Sequence, residues 1–243
     1  VTGLSEAVIA EAAQTIENAD GVKLRITSDE NDVMAIMVEG ASAHASRPHE
    51  GVNALTALVD FLSKLPLADC PSTKQIRALS TLFPHGIYHG EGLGIDLQDE
   101  IAGFTTVSFN ILNMDEKEIC GKFDCRASLA ADDENTTAAS EKVLKEAGFE
   151  VSADMMEPPH VVDPSSELVQ KLMGIYEEVT GRHEKPLAIG GGTYVHEIEN
   201  GVAFGCGFAE VDNRMHGDDE FMEIDAMLIS CEIFALAILD LCR

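Results

Sequence analysis

Three kinds of side chain in this sequence have a type and setting suited to chemistry on a polar substrate: histidines on turns, one arginine inside a strand pattern, and a run of glycines. The first lies in Ser42-Ala43-His44-Ala45-Ser46-Arg47-Pro48-His49-Glu50-Gly51-Val52-Asn53-Ala54. A hydrophobic strand pattern over 33–38 ends just before it, and Pro48 and Gly51 lead into an apolar-periodic segment over 52–65. A strand and a helix that pack into a core fix the loop between them, and loops held this way are where reactive side chains tend to sit. Arg126 lies in Phe123-Asp124-Cys125-Arg126, in a chain with only 16 Lys and Arg. Alternation puts it on the face of Asp124 and opposite to Phe123 and Cys125. A guanidinium there can grip a carboxylate in a two-pronged way, or form a salt bridge within the sheet, for which Asp124 is an adequate partner.

Gly190, Gly191 and Gly192 follow a short apolar run and precede a segment with helical character over 194–199. Consecutive glycines let a backbone approach a ligand closely, and amides opening a helix favour an anion; the plain alternative is a tight turn. The spacing matches neither a Walker A loop nor GxGxxG. His216, in Arg214-Met215-His216-Gly217-Asp218-Asp219-Glu220, has carboxylates nearby that could orient a metal-bound imidazole. It fits equally well a solvated acidic loop before a helix, where acids are favoured.

Other candidates carry less. His85 and His89 have chelating spacing, but Pro84, Gly86 and Gly90 forbid a regular helix there, and His44 and His49 flank a proline turn that seldom lets such a pair converge. Both pairs read as structural or surface histidines with respect to metal. No G-x-S-x-G elbow exists, and no cysteine sits in a recognisable activating context.

The elements that must position these groups follow from periodicity. Helices are expected over 5–18, 55–65, 72–82, 135–147, 165–179 and 224–241, with strands over 22–28, 33–38, 105–112, 118–127 and 149–153. A polar turn at 29–32 separates the first two strands, and the pair at 105–127 alternates as an antiparallel ribbon does. Residues 156–164, with Pro158, Pro159 and Pro164, look like a crossing linker. Beyond it, 187–189 and 202–204 are short continuous apolar runs suited to strands of a parallel sheet buried on both faces. The fold class is α/β: an α+β part with helices on one face of an antiparallel sheet, then a piece of a parallel α/β sheet.

Asp+Glu 43 against Lys+Arg 16 gives a formal charge of −27 over 243 residues. That field repels phosphate backbones and anionic headgroups, which argues against nucleic-acid and membrane-surface partners. Six cysteines without CxxC fit buried thiols in a reducing cytoplasm. The chain opens at Val1 and enters an amphipathic segment at once, which suggests a piece of a longer polypeptide.

Taken in order, S-A-H-A-S-x-P-x-x-G-x-N-A, D-x-R, G-G-G-T-Y and M-H-G-x-D-E resemble the aminoacylase-like family of dinuclear zinc peptidases. Phe83-Pro84-His85-Gly86 with Gly90-Glu91-Gly92-Leu93-Gly94 is similar to its bacterial carnosinase-type dipeptidases, the dipeptidase V group, as is Asn200-Gly201-Val202-Ala203-Phe204-Gly205. The resemblance implies a lid domain over 1–157 and, over 158–243, the C-terminal part of a catalytic domain. It implies that His44 closes onto the scissile carbonyl and that Arg126, helped by the amides of Gly190, Gly191 and Gly192, holds the substrate's C-terminal carboxylate. It makes His216 a zinc ligand in a two-metal site, with manganese or cobalt as alternatives. The remaining ligands and the catalytic glutamate would lie upstream, so this fragment alone is expected to be inactive. The implied substrate is a dipeptide or short peptide, or alternatively an N-acyl amino acid, and the implied state is a monomer. A non-catalytic binding module that has lost its metal site is the rival from another class. Where relatives continue G-G-G-T-Y-A-R, this chain has Val195 and His196.

Overall fold

The computed structural model describes residues 4, 6–17, 21–28, 34–152, 156–205, 207–208, 210–215 and 218–242. The chain divides into two compact units, Val1–Pro159 and His160–Arg243.

In the first unit, helix α1 (Glu6–Glu17) precedes strands β1 (Lys23–Ser28) and β2 (Met34–Glu39), which pair antiparallel with Lys23 opposite Glu39 and Ser28 opposite Met34. The turn expected at 29–32 lies outside the described residues. Helix α2 (Ala54–Lys64) starts at Asn53, whose side-chain oxygen accepts the N–H groups of Leu55 and Thr56 at 2.9 and 3.1 Å. Two otherwise orphaned helix donors are thereby satisfied. The same side chain donates to the Phe109 carbonyl at 2.9 Å, tying the helix start to a strand more than fifty residues on. Replacing Asn53 by alanine is expected to cost about 1–2 kcal/mol, read as a lower urea midpoint.

Helix α3 (Pro71–Leu82) has proline at its first turn, where a missing N–H is harmless. Two short strands, β3 (Gln98–Asp99) and β4 (Gly103–Phe104), form a small hairpin that periodicity does not reveal. Strands β5 (Thr106–Met114) and β6 (Ile119–Arg126) form an antiparallel ribbon from Thr106 opposite Arg126 to Met114 opposite Ile119. The register shifts between Phe109 and Ile111, so Asn110 is the extra residue of a bulge.

A π-helical turn, Asp133–Ala138, leads into helix α4 (Ala139–Glu146), and Asp132 and Asn135 exchange side-chain bonds with each other's backbone N–H at its start. The strand expected over 149–153 does not form in its described residues. Gly148, at φ 91, turns the chain left-handed, and the Phe149 N–H is donated back to the Leu144 carbonyl at 3.0 Å. That helix-ending motif consumes the donor a ladder would need.

Two apolar clusters hold this unit together. Ile9, Ala13, Val22, Ala57, Phe61 and Leu65 join α1 and α2 to the β1–β2 pair. Val59, Leu79, Phe83, Leu93, Val107 and Phe109 join α2 and α3 to the β5–β6 ribbon, with the Phe83 and Phe109 rings stacked at 4.4 Å. Helix α2 serves both clusters, so the loop that ends at its N-terminus is anchored from two sides.

In the second unit, helix α5 (Glu167–Thr180) is capped by Ser166 and ends at Gly181, which has φ 67. Arg182 bonds Glu210 and lies 4.3 Å over the Phe208 ring. Helix α6 (Ile224–Leu241) covers the range that periodicity predicts and buries Ala226, Ser230, Ile233 and Ala237 along one face, in a unit where it packs with α5. Several of its other apolar residues are open: Ile224, Leu228, Ile238 and Leu239 are all more than half exposed. The strands expected at 187–189 and 202–204 are not formed; Leu187 is 85 % and Ile189 67 % exposed. A parallel strand needs hydrogen-bonding neighbours, and no other strand is present among the described residues of this unit. The fold class is mixed α and β, helices with small antiparallel sheets, while the parallel part of the expectation is corrected at these two segments.

Candidate functional site

The loop carrying His44 is closed at its neck. Ala41 and Val52 form an isolated bridge, with N–H to carbonyl bonds of 3.0 and 2.8 Å in the two directions. Glycines flank it because nothing larger fits: a Cβ on Gly40 would stand 2.1 Å from the Val52 oxygen, and one on Gly51 2.6 Å from the Ala41 oxygen. Inside the neck, the Arg47 N–H bonds the His44 carbonyl at 2.8 Å, and the 3-10 turn Pro48–Glu50 buries Pro48. The His44 ring is half-buried. Its Nδ1 accepts the Ser46 backbone N–H at 3.3 Å and lies 2.8 Å from the Ser46 hydroxyl. A backbone N–H can only donate, so this contact suits the tautomer that carries its proton on Nε2. Ser46 thus orients a hydrogen-bond donor, a role the sequence hints at only through its i,i+2 spacing from His44.

Arg126 stands at the end of β6. Thr106, its cross-strand partner, donates from Oγ1 to the Ala45 carbonyl at 3.3 Å. The residue after His44 is therefore tied to the residue opposite Arg126, which attaches the His44 loop to the end of the ribbon that carries Arg126. Thr106, Ser108, Asp124 and Arg126 share a face of the β5–β6 ribbon, while Val107, Phe109, Phe123 and Cys125 turn toward the core. Asp124 binds Arg126 through two bonds, Oδ1 to Nε at 2.7 Å and Oδ2 to Nη2 at 3.1 Å. The salt bridge weighed from sequence is thus formed, and a further edge of the guanidinium lies beyond it. Burial pushes the neighbouring Cys125 thiol up to about 11, with Asp124 adding to the rise and Arg126 opposing it. Cys125 stays a neutral thiol and is no nucleophile near neutrality.

The chain leaving Arg126 is pinned by Asp99. Its carboxylate accepts the N–H groups of Ile101 and Ala102 at 2.7 Å and of Leu129 at 2.6 Å. Burial raises this carboxyl, but the three N–H donors outweigh it and hold it below its ordinary value. A depressed folded-state value means that the pin is present above the unfolded carboxyl range and fails as pH falls through the folded one.

In the second unit, Gly190 and Gly192 are exposed, Gly191 is half-buried, and all three lie in irregular chain before a 3-10 turn, Tyr194–Glu197. The Thr193 hydroxyl accepts the Val195 N–H at 3.3 Å, and His196 Nδ1 accepts the Thr193 N–H at 3.3 Å. His196 folds back as a cap, and its ring lies 5.3 Å from that of His160, whose Nε2 donates to the Gly201 carbonyl at 2.6 Å. His216 lies outside the described residues.

His85 Nδ1 is 2.9 Å from the Thr56 hydroxyl, and His89 Nδ1 donates to the Thr105 carbonyl at 3.3 Å with its ring against Phe104. Both are engaged with the protein's own frame. No group of three or more His, Cys, Asp or Glu that could hold a metal converges among the described residues, so these residues do not by themselves fit a zinc centre. Among the same residues, no helix is long and apolar enough to cross a membrane.

Comparison with known proteins gives this arrangement a context. A protein of Staphylococcus haemolyticus named "Putative dipeptidase" is 30% identical over 211 residues, 86% of this chain and 44% of the relative. A Staphylococcus aureus protein with the same descriptive name is 30% identical over 215 residues, 88% of this chain and 45% of its own length. The chain thus spans about half the length of the curated relatives it matches. The model of the peptidase family M20/M25/M40 matches residues 1–240, and the chain belongs to that family.

Proposed function

We propose that this chain forms the substrate-handling part of a metal-dependent dipeptidase. The observation that carries the reading is the placement of the His44 loop and Arg126 at one end of the β5–β6 ribbon, joined through Thr106. His44, donating from Nε2, stabilises negative charge that develops on the scissile carbonyl oxygen. Arg126 takes the substrate's free C-terminal carboxylate, and the amides of Gly190, Gly191 and Gly192 assist it. Capture of a free carboxylate selects short peptides. In this reading residues 1–157 are the lid and residues 158–243 the C-terminal portion of the catalytic domain. Zinc is the cofactor, with manganese or cobalt as alternatives; His216 is one ligand, and the others and the general base come from outside this chain. The chain alone is therefore inactive. The five described cysteines are free thiols, which supports a reducing, cytoplasmic setting.

The full-length, metal-loaded protein is expected to hydrolyse members of a dipeptide panel, and chelator to abolish the activity. N-acyl amino acids share the free carboxylate and belong in the same panel; preferential cleavage of these would replace the dipeptidase reading with an amidohydrolase one. A panel left intact by the metal-loaded protein overturns both.

A further inference from the structure

A guanidinium presents two edges on which a carboxylate can sit with two parallel bonds: the side edge, Nε with Nη2, and the end edge, Nη1 with Nη2. Asp124 takes the side edge of Arg126, through Nε and Nη2. Among the described residues Asp124 is the one hydrogen-bond partner of Arg126, and the guanidinium is only half-buried. Both N–H bonds of Nη1 and the second of Nη2 remain, which is the complete end edge.

We infer that Asp124 is a positioning residue: it grips the side edge of Arg126 and holds the end edge preformed for the carboxylate of a substrate. The inference rests on the reading of Arg126 as the carboxylate site. Two effects of Asp124 oppose each other. Its charge neutralises that of Arg126 and, in a chain of formal charge −27, weakens attraction for an anion. Its two bonds remove rotamer freedom that a long, flexible side chain would otherwise lose on binding. Across a two-pronged contact at a half-exposed surface, order outweighs net charge, because solvent screens the Coulomb term while the end edge must be aligned to form both bonds. The ribbon residues on the same face as Arg126, namely Thr106 and Ser108, carry small side chains.

The test compares a dipeptide with its C-terminal amide in the full-length, metal-loaded protein. Asp124→Ala is expected to raise KM for the free acid about ten-fold, the order for a side chain that must be ordered on binding, with kcat changed less than two-fold. KM for the amide stays unchanged, and Asp124→Glu restores most of the loss. In this chain alone, the Arg126 Nε proton is expected to exchange slowly with solvent by NMR, and Asp124→Ala to abolish that protection. A KM for the acid that falls or stays level in Asp124→Ala, or an unprotected Nε proton in the parent chain, overturns the inference. Should Arg126→Ala weaken the acid and its amide equally, the carboxylate reading itself falls, and the inference with it. If Arg126→Ala discriminates between them and Asp124→Ala does not, the inference alone falls.

Discussion

Replacing His44 by alanine in the full-length, metal-loaded protein is expected to lower kcat about 100-fold or more while the metal content stays intact. The expectation follows from the tautomer. Ser46 donates its backbone N–H to Nδ1, a contact that suits the tautomer with its proton on Nε2. The neck at Ala41 and Val52 and the bond from Thr106 to the Ala45 carbonyl fix the loop that bears it. A donor held in advance stabilises developing charge with little reorganisation, and its removal acts on the transition state more than on substrate affinity. KM should therefore move much less than kcat. Steady-state kinetics alongside elemental analysis checks both parts; a variant that loses zinc would make His44 a ligand instead of an oxyanion donor.

Gly40→Ala is expected to be the most damaging small substitution near the site. The added methyl would meet the Val52 carbonyl oxygen at 2.1 Å and the Ala54 nitrogen at 3.1 Å, both backbone atoms that no rotamer change can move. The neck must open, which costs about 1–3 kcal/mol by the usual measure of overpacking. The consequence spreads because Ala54 begins α2, whose Ala57 and Phe61 lie wholly buried in one cluster and whose Val59 serves the other. Urea unfolding should show a lowered midpoint with unchanged slope, and the folded fraction of the full-length, metal-loaded protein should show a reduced kcat. Gly51→Ala tests the same neck from its other side, where the Ala41 oxygen stands at 2.6 Å. Unchanged stability and turnover in both variants would mean that the loop does not depend on its closure.

The sequence announces the ribbon and the helices well, because each carries a period that its own burial enforces. The 3.6-residue rhythm of α6 gives its full span, and alternation alone places Arg126 on the face of Asp124. What stays hidden has physical causes. The bulge at Asn110 is a register event between two strands, and no single-strand pattern encodes it. Phe149 looks like the start of a strand, yet its N–H completes the end of α4, a choice decided by Gly148. The apolar runs at 187–189 and 202–204 have strand composition, but a strand is a relation to a neighbour, and composition does not supply one. In the candidate site, the types and spacing of His44 and Arg126 are legible, whereas the bond from Thr106 to the Ala45 carbonyl comes from an approach across about sixty residues of chain. The orienting role of Ser46 is equally a matter of geometry.

The uncovered side of α6 gives this chain a colloidal character of its own. A formal charge of −27 sets up repulsion between copies in dilute buffer, while Leu228, Ile238 and Leu239 stand open to water. At 1 M salt the screening length shrinks to about 3 Å, and that repulsion no longer reaches between molecules. Sulfate, excluded from protein surfaces, at the same time strengthens the pull between apolar faces. Ionic strength is therefore expected to govern whether this acidic chain stays dispersed, with retention on an anion exchanger at low salt and on a phenyl matrix at high salt.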